Sequence, residues 1–320
     1  MESLCPTECF HRFALGIFDS NKELGFMKKK ALFYIIMAGV LWGTSAIYVH
    51  YLAPLGFTSI QMTAVRAIVS VLCLLGYVCL RARKCFRIER PIHLLLYAAI
   101  GASLFFAASC YYSSMQITSV STAVVLMYAA PIYVVFFSVA FLNERMNKAK
   151  FVAITCMLIG SLLMSGVLGN GSWNFKGVLL GILAGVAYAS YSVLTKIAMK
   201  QKLEPLSVSL YGYLFMALIA VFGLNPAGFA ANVSANPTRS VLLLIGLGLC
   251  TFMFPYILYT LAIKMLPVGT CSALSIIEPM AATVFSVLFF HERLDLFSIL
   301  GIVFIVFATI LIGVQEEDAA

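Results

Sequence analysis

Long apolar runs alternate with short polar connections along almost the whole chain. Ten of these runs are about 20 residues long, the length of helix that crosses the hydrocarbon core of a bilayer. They cover residues 31–50, 58–80, 92–115, 120–142, 149–168, 177–198, 206–224, 240–262, 269–290 and 297–314. The pattern predicts an all-α polytopic membrane protein with ten transmembrane helices.

The composition agrees with a membrane environment. Of the 320 residues, 62% are hydrophobic and 11% are charged, and the mean hydropathy is +1.01. A soluble domain carries about one quarter charged residues, so soluble enzymes and nucleic-acid-binding proteins are excluded. Membrane lipid is therefore an expected partner, and nucleic acid is not.

Positive charge is distributed unevenly between alternate connections. Placing the N-terminus in the cytoplasm puts most of the 21 Lys and Arg on the cytoplasmic side, including Lys28–Lys30 and the basic cluster at 81–90. The opposite side receives Lys176, Arg239 and Arg293. Because cytoplasmic connections are enriched in Lys and Arg, we expect a multi-pass protein of the cell (inner) membrane with both termini cytoplasmic.

The second half of the chain repeats the first. Ala38–Gly43 returns as Ala184–Ala189, and the segment 130–146 returns at nearly the same offset as 278–294. Each half holds five predicted spans, and because five is odd, the two copies must enter the membrane in opposite orientations. The prediction is therefore two inverted-topology five-helix repeats.

We expect these repeats to cover residues 28–168 and 177–314. Residues 1–27 are expected to be a disordered or non-native extension, because Met27 is followed at once by three lysines. Residues 315–320 form an acidic C-terminal tail. Glycines spaced four apart, Gly39 with Gly43 and Gly181 with Gly185, are expected to let helices pack closely.

Several of these residues also carry a family resemblance. Trp42-Gly43 in the first span, Ile277-Glu278-Pro279, and the Asn143-Glu144-Arg145 and His291-Glu292-Arg293 ends of the fourth and ninth spans resemble the EamA-type branch of the drug/metabolite transporter superfamily. The resemblance covers residues 28–314. It implies a ten-helix fold around a central substrate cavity, usually with export of small metabolites such as amino acids or their analogues.

Residues for catalysis or metal binding are not evident. The nine cysteines show no disulfide or metal-ligand pattern, since Cys5, Cys9 and His11 offer only three ligands. The sequence lacks a His-Glu-x-x-His motif and a phosphate-binding loop. We therefore expect no enzyme activity, no metal and no cofactor, and transport that runs on gradients.

Two ionisable residues lie deep in predicted spans, Arg66 in the second and Glu278 in the ninth. A charge in hydrocarbon needs water, a partner or substrate, so each is a candidate functional residue. Pro279 is expected to kink its helix and to leave the carbonyl of Ser275 without a donor. Glu278 is either a ligand for a substrate amine, a proton-coupling carboxylate, or a structural carboxylate paired with Arg66 or Lys264.

Polar and aromatic residues mark one face of several spans at helical spacing. They are Ser109, Tyr112, Ser113 and Gln116 on span three, Tyr188, Tyr191, Ser192 and Thr195 on span six, and Tyr256, Tyr259 and Thr260 on span eight. We expect about half of these residues to serve helix packing and the others to line a water-filled cavity. The predicted substrate-binding residues are Trp42, Arg66, Tyr112, Gln116, Tyr188, Tyr191, Tyr259 and Glu278.

The function predicted from these features is a secondary transporter of small metabolites. We expect an exporter of amino acids or related compounds that works by alternating access, with proton coupling as one role for Glu278. The alternatives are a non-transporting membrane scaffold or sensor, and a narrow channel, on the same fold. The sequence leaves the substrate, the direction, the coupling ion and the oligomeric state open.

Overall fold

The computed structural model describes residues 27–88, 90–117, 123, 126–127, 129–143, 147–164, 174–290 and 296–318. Every regular element in these ranges is helical. Of the predicted N-terminal extension, only Met27 belongs to the described residues. The predicted acidic tail continues the last helix as far as Asp318.

Fourteen α-helices have both of their ends within these ranges. They are α1 (27–43), α2 (Ser45–Leu52), α3 (Ser59–Arg81), α4 (Pro91–Ile117), α5 (Ala130–Leu142), α6 (Lys148–Met164), α7 (Phe175–Lys200), α8 (Pro205–Val221), α9 (Pro226–Ala235), α10 (Pro237–Gly248), α11 (Phe254–Met265), α12 (Val268–Leu274), α13 (Ile277–Phe290) and α14 (Leu296–Asp318). A π-helical turn, Leu249–Met253, joins α10 to α11.

Six helical stretches are long and apolar enough to cross a membrane. They are Met27–Leu55, Ser59–Arg81, Pro91–Ser114, Phe175–Lys200, Pro237–Met265 and Val268–Phe289. Helices α8 and α9 qualify as a seventh only together, and they are bent by 100° at their junction. The protein is thus a multi-pass membrane protein, and ten crossings stay a prediction because Ala130–Leu142, Phe151–Gly160 and Ile299–Ala308 are shorter.

Polar residues at the helix starts fix several of these bounds. Thr58 and Gln61 form a capping box before α3, in which each side chain accepts a hydrogen bond from the other residue's backbone N–H. The side chain of Asn174 accepts from the N–H groups of Lys176 and Gly177 at the start of α7. These caps are encoded locally, which is why the second and sixth predicted spans match the helices closely.

Two lysines on α7 close the ends of other helices. Lys196 Nζ donates to the carbonyls of Ile263 at 2.7 Å and Leu266 at 2.6 Å. One turn later, Lys200 Nζ donates to the carbonyl of Leu142 at 2.9 Å. The last carbonyls of a helix have no partner within it, so α7 satisfies the C-terminal ends of α11 and α5.

Close helix packing recurs at equivalent places in the two halves. On α1, Gly39 lies against Ile277, and a Cβ on Gly43 would lie 2.7 Å from Ala281 Cβ. On α7, Gly185 lies against Tyr133 of α5 in the corresponding arrangement. The glycines therefore serve packing, and the first span contacts the ninth as the sixth contacts the fourth, with different partner residues.

The ninth predicted span is interrupted about two turns after its start. Helix α12 ends at Leu274, Ser275 and Ile276 form a turn, and α13 begins at Ile277. In the fourth span, Ala129 is likewise a turn residue before α5 begins at Ala130. Pro131 and Pro279 lie in the first turns of these helices, where a missing N–H costs nothing. Helices α5 and α13 therefore begin within one residue of equivalent places in the repeat, at Ala130 and Ile277.

Gly101 offers a test of the close packing between α4 and α8. A Cβ at Gly101 would lie 2.5 Å from the carbonyl oxygen of Gly212 and 2.9 Å from the backbone nitrogen of Met216, so the helices must separate. We expect Gly101→Ala to lower the free energy of unfolding by about 1–3 kcal/mol. Gly76→Ala is the control, because no atom lies within 4 Å of its added Cβ. Equal thermal stabilities of the two variants in detergent would contradict this packing.

Candidate functional site

Glu278 lies in the first turn of α13, directly after the break. Its N–H donates to the carbonyl of Ser275 at 3.0 Å, and the Ser275 hydroxyl donates to the carbonyl of Ser272 at 2.7 Å. The expected free carbonyl at Ser275 is therefore wrong, because the chain tightens at the break and Glu278 supplies the donor. The carboxylate is half-buried at a helix N-terminus, where the helix dipole favours negative charge.

Arg66 enters the same region from α3 and packs against two aromatic rings. Its guanidinium carbon lies 5.8 Å from the ring centre of Tyr112 on α4 and 5.3 Å from that of Phe252 in the π-helical turn. Arg66 Nε is buried and has no hydrogen-bond partner. The cation is thus held by ring faces, which leave its N–H donors available.

Arg66 and Glu278 share one site without neutralising each other by contact. Each charge acts electrostatically on the other, and both act on the hydroxyls of Tyr111 and Tyr256. In the described part of the chain, neither residue makes a salt bridge within 4 Å. The site therefore holds a positive and a negative group that lie within electrostatic range of each other but are not paired.

A cluster of aromatic side chains lies next to these two charges. Trp42 packs edge-on against Tyr256 at a ring distance of 5.1 Å and against Tyr259 at 5.5 Å. Tyr191 contacts Tyr256 at 5.4 Å and Tyr259 at 6.1 Å, and Tyr188 contacts Tyr259 at 6.2 Å. The rings thus join helices α1, α7 and α11 into one continuous surface.

The cluster is anchored on one side and reaches Arg66 on the other. The hydroxyl of Tyr259 hydrogen-bonds to that of Ser192 at 3.0 Å, and Tyr259 is fully buried. Phe252 packs against Tyr256 at 4.7 Å and against Tyr213 at 4.8 Å. Tyr191 and Tyr259 therefore lie behind the site, and Tyr256 and Phe252 connect them to the cation.

The structure places most of the predicted binding residues in this one region. Arg66, Tyr112 and Glu278 lie at the charges, and the aromatic cluster holds Trp42, Tyr188, Tyr191 and Tyr259. The side chain of Gln116 lies outside the described residues. The binding role of all eight residues stays a prediction.

Three residues of the site were not in the predicted set. Tyr256 belongs to the aromatic pattern of span eight, so the sequence pattern could have identified it. Tyr111 precedes Tyr112 and is on a different helical face, yet it lies within range of both charges. Phe252 has no such signal, because the π-helical turn changes which side of the span it faces.

A groove of about 530 Å³ lies elsewhere, between α5 and α6. Its lining is apolar apart from Thr155 and includes Ile132, Phe136 and Phe151, whose side chains are all exposed. Neither Arg66 nor Glu278 lines it. The chemistry of the groove is that of a lipid-facing surface, so the candidate site is the region of the two charges. The described residues contain no group of three or more His, Cys, Asp or Glu placed to hold a metal ion.

Comparison with known proteins identifies the family. The model of the EamA-like transporter family matches the chain twice, at residues 29–166 and 175–314. The chain belongs to the EamA-like transporter family. The resemblance predicted from Trp42-Gly43 and Ile277-Glu278-Pro279 is therefore confirmed.

Relatives of the protein are named as transporters. An uncharacterized transporter from Archaeoglobus fulgidus is 30% identical over 83% of this chain and 90% of its own length. An S-adenosylmethionine uptake transporter from Rickettsia bellii is 24% identical over 82% of this chain and 86% of its own length. These similarities support transport of small metabolites as the general function.

The fold is also found among solved structures. One crystal structure superposes with a TM-score of 0.76 over 91% of this chain and 99% of its own, at 17% sequence identity. At that identity the likeness concerns the fold alone. The helical arrangement of this EamA-family protein is thus shared by a protein of distant sequence.

Proposed function

We propose that this EamA-family protein is a secondary transporter that exports amino acids or related small metabolites by alternating access. The observation that carries the proposal is the break between α12 and α13. It places Glu278 at a helix start in the interior of a span, within electrostatic range of Arg66 but not paired with it. Interrupted helices of this kind form the binding sites of many secondary transporters.

The proposed architecture is two inverted five-helix repeats, residues 28–168 and 177–314, with ten spans in total. The double match of the family model and the glycine contacts between equivalent helix pairs support the duplication. The excess of Lys and Arg in alternate connections supports cytoplasmic termini in the inner membrane. In such proteins, one repeat rocks against the other around a fixed site.

The proposed substrate carries a carboxylate and an amine. Arg66 supplies donors for the carboxylate, and Glu278 accepts from the amine. Tyr112, Gln116 and the aromatic cluster around Trp42 supply the remaining contact area. The name of the Rickettsia relative fits this chemistry, because S-adenosylmethionine has an α-amino acid end.

Glu278 is also the proposed site of proton coupling. Its carboxylate can bind a proton when the substrate amine leaves and release it when the amine returns. Placing either charge at the centre of a bilayer costs from about 3 to above 10 kcal/mol. A charge kept at such cost is expected to exchange with substrate, proton or water during each cycle.

Counterflow in proteoliposomes tests whether the protein is a carrier. Vesicles are loaded with each L-amino acid or with S-adenosylmethionine, and the entry of the labelled compound is measured. We expect transient accumulation that saturates with concentration for at least one compound. Entry without saturation would indicate a channel, and no entry for any compound would favour a scaffold or sensor. Either result contradicts the proposal.

Glu278→Gln tests the coupling role separately from binding. We expect accumulation driven by a pH gradient to fall at least about tenfold, because the amide cannot carry a proton. Counterflow at equal pH should persist with a raised KM, because the amide oxygen still accepts from the amine but is uncharged. Glu204→Gln is the matched control, since Glu204 precedes the first turn of α8 but is exposed. Unchanged proton-driven accumulation in Glu278→Gln would refute the coupling role.

A further inference from the structure

We propose that Phe252 is a positioning residue, which holds the guanidinium of Arg66 so that its N–H groups meet the carboxylate of the substrate. This inference rests on the proposed function and adds a residue to its site. Phe252 is fully buried, and its ring centre lies 5.3 Å from the guanidinium carbon of Arg66. It therefore does not contact the substrate, and its effect passes through Arg66.

The position of Phe252 results from the π-helical turn. Pro255 has no N–H, so the regular α-helical bond to the carbonyl of Thr251 cannot form. The chain widens instead, and the N–H of Phe254 donates to the carbonyl of Leu249, five residues earlier. A turn of this width shifts the following side chains around the helix. Phe252 lies within this widened turn with its ring against Arg66, whereas Phe254, directly after the turn, is 47% exposed.

The same turn is fixed to the helix that carries Arg66. A Cβ on Gly248 would lie 2.7 Å from Val69 Cβ, so α3 and α10 are in close contact just before the turn. The Ser70 hydroxyl lies 3.1 Å from the carbonyl oxygen of Gly248 and 2.7 Å from that of Arg66. Arg66 and Phe252 thus lie on either side of the close contact between α3 and α10. Their relative placement is set by this helix packing and not by loops.

Stacking orients the guanidinium without consuming its donors. The contacts with Tyr112 and Phe252 use the ring faces, and buried Nε has no hydrogen-bond partner. A planar guanidinium held in this way can donate two parallel hydrogen bonds to the oxygens of one carboxylate. Holding it before binding also reduces the rotamer entropy lost on binding. We call the contact of Arg66 with the rings of Phe252 and Tyr112 the clamp. It should strengthen binding of the carboxylate group of the substrate specifically.

Fluorination of the ring tests the clamp without changing its shape appreciably. We would place 3,4,5-trifluorophenylalanine at position 252, which weakens the negative potential of the ring face. For the L-amino acid with the strongest wild-type counterflow, we expect KM to rise about three- to tenfold with maximal rate nearly unchanged. Its carboxamide analogue, if carried, should show no such rise. The same residue at Phe254 is the control, and we expect wild-type values there.

Phenylglyoxal labelling of Arg66, measured by peptide mass spectrometry in detergent, reports on the clamp without any transport. We expect faster labelling with the fluorinated ring at 252 and wild-type labelling with it at 254. Faster labelling with unchanged KM would overturn the positioning role, and a raised KM with unchanged labelling would overturn the ring contact as its cause. If no wild-type counterflow occurs, the proposed function fails, whereas the labelling rate still decides whether Phe252 holds Arg66.

Discussion

Hydrocarbon solvates charge poorly, and the candidate site keeps an arginine and a glutamate in the apolar interior without a salt bridge between them. The other features of the site follow from this constraint. Arg66 is stabilised by the faces of Tyr112 and Phe252, and Glu278 by the start of α13. Both forms of stabilisation leave hydrogen-bonding capacity unused. Two charges held in this way are prepared to bind a molecule that carries the opposite charges.

The break between α12 and α13 lies beside close glycine contacts between helices. Backbone groups inside a membrane must find partners within the protein, and at this break the N–H groups of Ser275 and Glu278 donate to the carbonyls of Cys271 and Ser275. Beside it, Gly39 and Gly43 of α1 pack closely against α13, and in the other half Gly185 of α7 packs against Tyr133 of α5. The packing beside Glu278 is thus packing between the two halves, so a movement of one half against the other alters the site.

Much of the fold and part of the site could be predicted from the sequence. Apolar runs, glycine spacing and the repeated motif identify the helices and the family, because these signals depend on local composition and period. Arg66 and Glu278 were evident for a similar reason, since intramembrane charges are rare. The break at Ser275 and the place of Phe252 were not, because both depend on how Pro279 and Pro255 redistribute backbone hydrogen bonds. A proline predicts a distortion, but not whether it becomes a kink, a break or a π-helical turn.

Alternating access at the break between α12 and α13 is tested most directly by measuring how accessible the break is from each side of the membrane. Ser275→Cys, in a chain whose nine native cysteines are replaced, would be exposed to a membrane-impermeant thiol reagent from either side of sealed vesicles. Alternating access predicts labelling from both sides, with a saturating transported amino acid changing the ratio of the two rates. Labelling from neither side, or from one side only under all conditions, would contradict a substrate site at this break.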